Sequence, residues 1–238
     1  MSRLGTITWG AERFRVGPWH GDERVAYLAV GATALVPSVS GVAEVLDRLR
    51  RDGFAKVMTS ALRPHEVPAF LASGFAERER LIVLQRSLSG LPDSNSSAVR
   101  RVRPGEMPAV LAVDHLAFEP PWRLDAAGID EALRATPRSR LRVGIDTGTD
   151  RRGEVCAYAI CGRAGHTGYL QRLAVDPRRQ GRGLGRDLVL DALTWLARRH
   201  ATSVLVNTQE TNHRAIELYR SLGFEPDRAE LIVLERDL

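Results

Sequence analysis

Lysine is almost absent from this 238-residue chain, which has a single one, Lys56, among its 34 basic residues. The phosphate loop of nucleotide triphosphatases needs a lysine in the pattern G-x-x-x-x-G-K-[ST], so that class is excluded. Cysteine is also scarce. Cys156 and Cys161 lie five residues apart on one predicted strand, where alternation places them on opposite faces and prevents a disulfide between them. A reducing compartment is therefore expected.

Long apolar runs are missing too. No stretch approaches the ~18 apolar residues of a membrane-spanning helix. Residues 1–5 lack the charged and then apolar pattern of a secretory leader. We therefore expect no membrane association and a cytoplasmic location.

Metal-ligand clusters and hydrolase nucleophile motifs are absent from the sequence. The histidines are isolated, without ligand-like partners at close spacing, and no Ser/His/Asp or Cys/His arrangement is visible. No metal is expected. The histidines are His20, His65, His115, His166, His200 and His213.

The charge balance is basic, with a formal net charge of +5 and a pI of about 9.8. Such values occur in nucleic-acid-binding proteins, but the basic residues are scattered and no basic stripe interleaved with aromatics appears. No nucleic-acid partner is expected. The excess charge would help to gather a polyanionic cofactor.

A glycine-rich run is the most informative segment. It covers residues 180–185, between an apolar run at 170–175 and an amphipathic run at 188–196. This order predicts a strand, a tight turn and a helix N-terminus, whose amide groups can hold a diphosphate. Arginines add positive charge nearby, namely Arg178, Arg179, Arg182 and Arg186.

The spacing of this run excludes a dinucleotide fold. That fold needs G-x-G-x-x-G, whereas the glycines here are Gly181, Gly183 and Gly185, and position 186 is Arg. It also needs an acid at the end of the next strand, where this chain has Asn207.

Two motifs resemble the GNAT superfamily of acetyl-CoA-dependent N-acetyltransferases. Gln180, Gly183 and Gly185 match its signature Q/R-x-x-G-x-G/A. Downstream, the segment from Asn212 to residue 224 matches N-x-x-A-x-x-L-Y-x-x-x-G-F, with Tyr219 at the tyrosine. The resemblance covers roughly residues 98–238.

This resemblance implies an α/β (mixed α+β) fold, with a mixed sheet and flanking helices, and acetyl-CoA as co-substrate. It implies that the edge of strand 173–175 pairs with the pantetheine arm and can stabilise the oxyanion, although a plain core strand fits the residues as well. Asn212 would hold the pantetheine arm, or cap the following helix. The implied cofactor-binding residues are Leu173, Ala174, Val175, Gln180, Gly181, Arg182, Gly183, Leu184, Gly185, Arg186 and Asn212.

The resemblance makes Tyr219 the candidate general acid, which would protonate the departing thiolate. The residues alone also allow a packing role, because Tyr219 belongs to an apolar helical stripe with Ala215, Ile216 and Leu222.

The general base cannot be assigned from the sequence. Relatives place a glutamate where this chain has Asn207, or an acid where it has Tyr169. Glu210, Glu119, His166 or a water chain remain as alternatives.

The acceptor side is equally open. Glu119 and Trp122 lie in a region that lines the acceptor pocket in relatives, although Trp122 can equally be a packing anchor. A small-molecule or peptide amine is the expected acceptor.

The first half of the chain repeats the second in part. Residues 81–88 (LIVLQRSL) recur as 231–238 (LIVLERDL), and Gly74-Phe75 corresponds to Gly223-Phe224. The N-terminal copy lacks paired glycines before its helix near Gly41, so it is expected to bind no cofactor. We predict a shortened, degenerate GNAT-like half at 1–90, a linker at 91–97 and a catalytic domain at 98–238.

This tandem, with one silent half, resembles the arrangement of mycothiol synthases. The halves are expected to form an intramolecular pseudo-dimer, in a protein that is a monomer or weak homodimer. Within the second half we expect a strand at 98–103, a helix opened by Pro104, a helix at 125–135, and strands at 140–145 and 154–162 joined by a turn at 147–150.

An N-acetyltransferase with direct transfer is the leading functional hypothesis. A non-catalytic acyl-CoA-binding regulator is the alternative, because both expected carboxylates are missing. The hypothesis of a basic nucleic-acid-associated protein rests on net charge alone.

Overall fold

The computed structural model describes residues 5–19, 22–31, 35–90, 97–146 and 153–238. Short 3₁₀ turns lie at Pro120–Trp122 and Pro177–Arg179. The other elements are α-helices and β-strands. In chain order these are β1 (Gly5–Trp9), β2 (Glu12–Trp19), β3 (Asp22–Val30), α1 (Val39–Arg51), β4 (Lys56–Thr59), α2 (Val67–Ala72), β5 (Ala76–Ser87), β6 (Val99–Arg101), α3 (Met107–Ala117), α4 (Ala126–Arg134), β7 (Arg138–Ile145), β8 (Val155–Ala164), β9 (Thr167–Val175), α5 (Leu184–Ala197), β10 (Ser203–Gln209), α6 (His213–Ser221) and β11 (Glu225–Asp237).

The chain forms two compact units, neither of which is one continuous segment. Unit 1 contains Met1–Val83, Thr208–Asn212 and Asp227–Leu238, and unit 2 contains Leu84–Asn207 and His213–Pro226. The end of the chain therefore belongs to unit 1. The domain boundaries at 90 and 98 stay a prediction.

Unit 1 is a mixed sheet covered by two helices. Its strands follow the order β1-β2-β3-β4-β11-β5; β3 and β4 are parallel, and β11 runs antiparallel to β4. Helix α1 presents Val42, Leu46 and Leu49 to the core, at the three- and four-residue spacing of one helical face. Phe70 and Phe75 close this core with an edge-to-face contact at 5.2 Å.

Unit 2 is also a mixed sheet with flanking helices. Its strands follow the order β10-β9-β8-β7-β6; β9 is parallel to β10 and antiparallel to β8. Strand β8 is buried along most of its length, as expected for a central strand. Helices α3 and α4 pack on one face through Val110, Val113 and Ile129. The predicted fold class is confirmed by these sheets and helices.

The repeated octapeptide makes equivalent contacts in both units. In unit 2, Arg86 donates to the carbonyl of Leu222 after α6, and Leu88 N donates to Thr202 O at 2.9 Å. In unit 1, Arg236 donates to the carbonyl of Ser73 after α2, and Leu238 N donates to Ala55 O at 2.9 Å. The sequence repeat therefore corresponds to a repeated structural environment.

The start of α3 differs from the prediction. The helix begins at Met107, and Pro104 lies in the turn before it. Gly105 has φ +84°, which no helix allows, and the Glu106 carboxylate accepts from Arg103 N at 2.8 Å. The turn therefore delays the helix by three residues.

Asp125 caps α4 by accepting from Gly128 N, and both cysteines are free and buried. Residues 91–96 of the predicted linker and the predicted turn at 147–150 lie outside the described residues. Among the described helices, none is long and apolar enough to cross a membrane.

Candidate active site

The loop after β9 turns sharply at two glycines. Gly181 and Gly183 have φ angles of +79° and +83°, in the left-handed region that disfavours residues with a side chain. A Cβ atom at either position would meet no heavy atom within 4 Å. Both glycines are therefore required by the backbone turn, and the space beside them is open in the described part of the chain.

Helix α5 starts without a side-chain cap. Asp187 lies in its first turn, and Gly183, its N-cap residue, has no side chain that could accept from the first amide N–H groups. These N–H groups and the helix dipole favour an anion at this end. Gly185 has another role, because a Cβ there would lie 3.3 Å from Leu218 of α6 and 3.6 Å from Val175. It permits close packing of α5 against α6 and β9.

Helix α1 of unit 1 begins differently. Ser38 caps it by accepting from Gly41 N at 3.0 Å, and the Glu12 carboxylate accepts from Ser38 N at 3.0 Å and from Ser38 Oγ at 2.5 Å. The chain's own carboxylate thus occupies this helix start. The absence of a cofactor from the N-terminal half stays a prediction, which this contrast supports.

Side chains fix both ends of the glycine loop. Asp176 is buried and accepts from Arg178 N at 2.9 Å, and hydrogen bonds from Arg178 hold the pKa of the Asp176 carboxyl below its usual value. Gln180 Nε2 donates to the carbonyl of Val175 at 3.2 Å, while its Oε1 accepts from Arg214 of α6. Gln180 therefore links the end of β9 to α6.

Acids pair with three of the four arginines around the loop. Arg186 instead lies 3.5 Å from Ser221 Oγ. The positive charge at the loop is therefore smaller than the sequence suggests. The ion pairs are Arg178–Asp176 (2.7 Å), Arg179–Asp146 (2.8 Å) and Arg182–Asp146 (3.7 Å).

Strand β9 is hydrogen-bonded to a strand on each edge only near its start. It pairs with β10 only from Thr167 to Tyr169, although it continues to Val175. On its other edge it stays paired with β8 as far as Val175. The backbone edge of Leu173, Ala174 and Val175 that faces away from β8 is therefore unpaired among the described strands.

Tyr219 lies on α6 and is almost fully buried, with 4% exposure. Burial raises the pKa of its phenol above the usual value, and its ring packs on Phe224 at 5.6 Å. Within the described residues its hydroxyl makes no hydrogen bond, yet it is not among the fully buried polar atoms that lack a partner. The geometry combines a packed ring with a hydroxyl that has no hydrogen-bond partner among the described residues.

Asn212 directly precedes α6, and its backbone N donates to Gln209 O at 2.9 Å.

A buried ion pair connects α3 with β9. Asp114 is completely buried, and its Oδ2 accepts from Arg172 Nε at 2.9 Å and Nη2 at 2.7 Å. The same oxygen accepts from the Tyr158 hydroxyl, and Oδ1 accepts from Leu124 N at 2.7 Å. Burial raises the pKa of Tyr158, so this hydroxyl stays a donor.

Arg172 extends this network to the predicted acceptor region. Its Nη2 donates to the carbonyl of Trp122 at 2.6 Å, and its guanidinium carbon lies 3.4 Å from the centre of the Phe118 ring. Glu119 opens the 3₁₀ turn between them, since Trp122 N donates to Glu119 O at 2.9 Å. The segment that carries Glu119 and Trp122 is thus anchored on β9.

The candidate bases lie in different parts of the fold. His166 lies before the start of β9, so the whole nine-residue strand, about 30 Å long, separates it from the glycine loop. Asn207 and Tyr169 carry no carboxylate. Glu210 N donates to Arg80 O at 3.1 Å in unit 1. Of the acids proposed from the sequence, Glu119 alone lies in the Arg172-anchored segment.

Sequence reasoning missed Asp114 and Arg172. A single signal pointed to the first, because Asp114 and its neighbour His115 are the polar residues of an otherwise apolar helix, MPAVLAVDHLA. A carboxylate at a buried helical position requires a partner. Nothing local identified that partner, which lies 58 residues later in the chain.

Comparison with known proteins gives consistent results. A model described as "Acetyltransferase (GNAT) family" matches residues 110–224. A protein named mycothiol acetyltransferase from Acidothermus cellulolyticus is 32% identical over 67% of this chain, but the match spans only 56% of that relative's length. A protein of the same name from Nocardioides sp. is 28% identical over 93% of this chain and 86% of the relative.

Solved structures show the same fold at low identity. A tandem GNAT protein from the clavulanic acid biosynthesis pathway has a TM-score of 0.67 and 15% identity, covering 98% of this chain and 81% of that chain. A GCN5-related N-acetyltransferase from Kribbella flavida has a TM-score of 0.64 and 14% identity, covering 98% and 89%.

Proposed function

Since the chain belongs to the GNAT family of acetyltransferases, we propose that it transfers the acetyl group of acetyl-CoA to a primary amine. One observation carries the proposal. The uncapped start of α5 and its two positive-φ glycines lie directly after the unpaired edge of β9. A diphosphate and an amide-bearing arm need these two features side by side.

The residues present fit coenzyme A. Amides of the 181–186 loop would hold its diphosphate, and Arg182 and Arg186 of the same segment would add positive charge. The β9 edge at 173–175 would pair with the pantetheine amides. Asn212 is proposed to assist at the start of α6. The space beside Gly181 and Gly183 is open, and the diphosphate is proposed to occupy it.

The reaction forms a C–N bond and breaks a C–S bond. The amine nitrogen attacks the thioester carbonyl and loses one proton. Asn207 and Tyr169 carry no carboxylate to accept this proton, so it passes to water, either directly or through Glu119. As the C–S bond breaks, Tyr219 donates its proton to the sulfur and regains one from solvent. The raised pKa keeps the Tyr219 phenol protonated throughout the neutral range.

The acceptor is proposed to be a small molecule or peptide with a primary amine. Relatives carry the name mycothiol acetyltransferase. The unacetylated precursor of mycothiol is therefore the first acceptor to test. Glucosamine, L-cysteine, L-alaninamide and spermidine complete a panel that samples amino sugars, amino acids and polyamines.

The activity test measures acetyl-CoA consumption and acetylated product by mass spectrometry for each amine. Tyr219→Phe is expected to lower kcat by about 10²-fold or more, with the Kd of coenzyme A unchanged. Tyr27→Phe, on β3 of unit 1, is the matched control and should leave kcat unchanged. Weaker coenzyme A binding with unchanged kcat in Tyr219→Phe would show a packing role.

A non-catalytic acyl-CoA-binding protein is the second candidate, favoured by the missing carboxylates at Asn207 and Tyr169. It predicts coenzyme A binding by calorimetry with no product from any amine. Turnover of one amine refutes it, and lack of coenzyme A binding at low ionic strength refutes both candidates.

A further inference from the structure

Strand β9 contains one extra residue, Gln171, opposite β8. Ile160 pairs with Arg172 and Cys161 pairs with Leu170, so Gln171 has no partner in this ladder. The pairing with β10 ends two residues earlier, at Tyr169. A β-bulge commonly re-aims a side chain beside a functional site. Gln171 thus lies where β9 separates from β10.

The side-chain carbonyl of Gln171 is buried without a hydrogen-bond donor. Four buried side-chain polar atoms lack a partner in the described part of the chain, and Gln171 Oε1 is the single oxygen among them. The other three are arginine Nε atoms. Leaving a buried acceptor unpaired destabilises the folded state. A donor that arrives with a ligand would satisfy such an atom.

The neighbouring cation does not supply this donor. Arg172 follows Gln171 directly, but its Nε and Nη2 are committed to Asp114, and Nη2 also bonds the Trp122 carbonyl. Since Asp114 neutralises Arg172, the pair adds no net charge that would repel an amine. Gln171 Oε1 therefore has no donor among the described residues.

Given the function proposed above, the position of Gln171 along β9 indicates which N–H group would donate to its Oε1. The diphosphate loop follows Val175, and the pantetheine edge covers residues 173–175. An arm that runs back along three strand residues, about 10 Å, brings its thioester end to residues 171–172. The group that meets the thioester there is the attacking nitrogen.

We infer that Gln171 Oε1 accepts a hydrogen bond from the acceptor amine and holds it against the thioester. An amide carbonyl does not take up the proton, so Gln171 binds and orients the amine and is not the base. Its substitution should change acceptor kinetics more than cofactor binding.

The test compares Gln171→Met with wild type on every amine of the panel that wild type acetylates. Met keeps the length of the side chain and removes the carbonyl. We expect kcat/KM for the amine to fall about tenfold, the value for one lost hydrogen bond, with the Kd of coenzyme A unchanged. The melting temperature should stay equal or rise, because no protein hydrogen bond is lost. Gln171→Glu restores an acceptor and should recover amine binding.

Gln85→Met is the matched control, since Gln85 is exposed on β5. It should leave all these quantities unchanged. A lower melting temperature of Gln171→Met with unchanged kinetics would make Gln171 a structural residue. Weaker coenzyme A binding with an unchanged amine KM would assign it to the cofactor. Either result overturns the inference. If wild type acetylates no amine, the proposed function fails first and this inference with it.

Discussion

Asp114 offers the sharpest test of how unit 2 is held together. The carboxylate is fully buried, and Arg172, its ion-pair partner, has a side chain that is 15% exposed. Asp114→Asn keeps the size of the side chain and an oxygen for Leu124 N, but removes the charge that balances Arg172. The substitution therefore leaves a buried guanidinium without its counter-charge.

The expected cost follows from this burial. Removing one partner of a buried ion pair costs about 3–5 kcal/mol. The amide introduced by Asp114→Asn would still accept one hydrogen bond, so the lower end, ~3 kcal/mol, is expected. For a chain of this size, about 2–4 °C is lost per kcal/mol, which gives a fall in melting temperature of roughly 6–12 °C.

Urea unfolding followed by far-UV circular dichroism measures the change in free energy. Asp130→Asn is the matched control, because its pair with Arg134 is exposed and should be worth less than about 1 kcal/mol. The double variant Asp114→Asn with Arg172→Met removes the unbalanced charge and should recover part of the stability. A loss below about 1 kcal/mol for Asp114→Asn would refute the assignment of a buried, uncompensated charge.

Three other perturbations test the loop, the charges and the division into units. Gly183→Ala forces a side chain into a φ of +83° and should weaken coenzyme A binding in calorimetry; unchanged affinity would contradict the role of this turn. Arg100 lowers the pKa of Glu106 to about 2. The ionised Glu106 carboxylate therefore stabilises the folded state at pH values above its pKa in the unfolded chain, near 4.3, and this stabilisation is lost as the pH falls toward 2. Glu106→Gln should flatten that part of the acid-unfolding curve, and an identical curve would refute it. The fragment 98–238 lacks residues 84–88, which bond within unit 2, and should not melt cooperatively; a soluble, cooperative and fully active fragment would refute this.

Features that depend on local sequence were predictable. The glycine run gave the turn after β9, since Gly181 and Gly183 adopt conformations that other residues avoid. The helix predicted at 125–135 corresponds to α4 (Ala126–Arg134), which Asp125 caps. The predicted start of α3 was wrong, because a proline suits both the first turn of a helix and the turn before it. The hydrogen bonds of the Glu106 carboxylate decided between these two positions.

The amino-acid sequence by itself determined the strand, turn and helix around the glycine loop, the partial repeat and the family. Only the tertiary structure decided that Arg172 meets Asp114, that β9 bulges at Gln171, and that the last strand belongs to unit 1. The reason is physical. Turns and caps are set by the conformational preferences of neighbouring residues, whereas strand register and buried ion pairs depend on groups that are distant in the chain and meet only after folding.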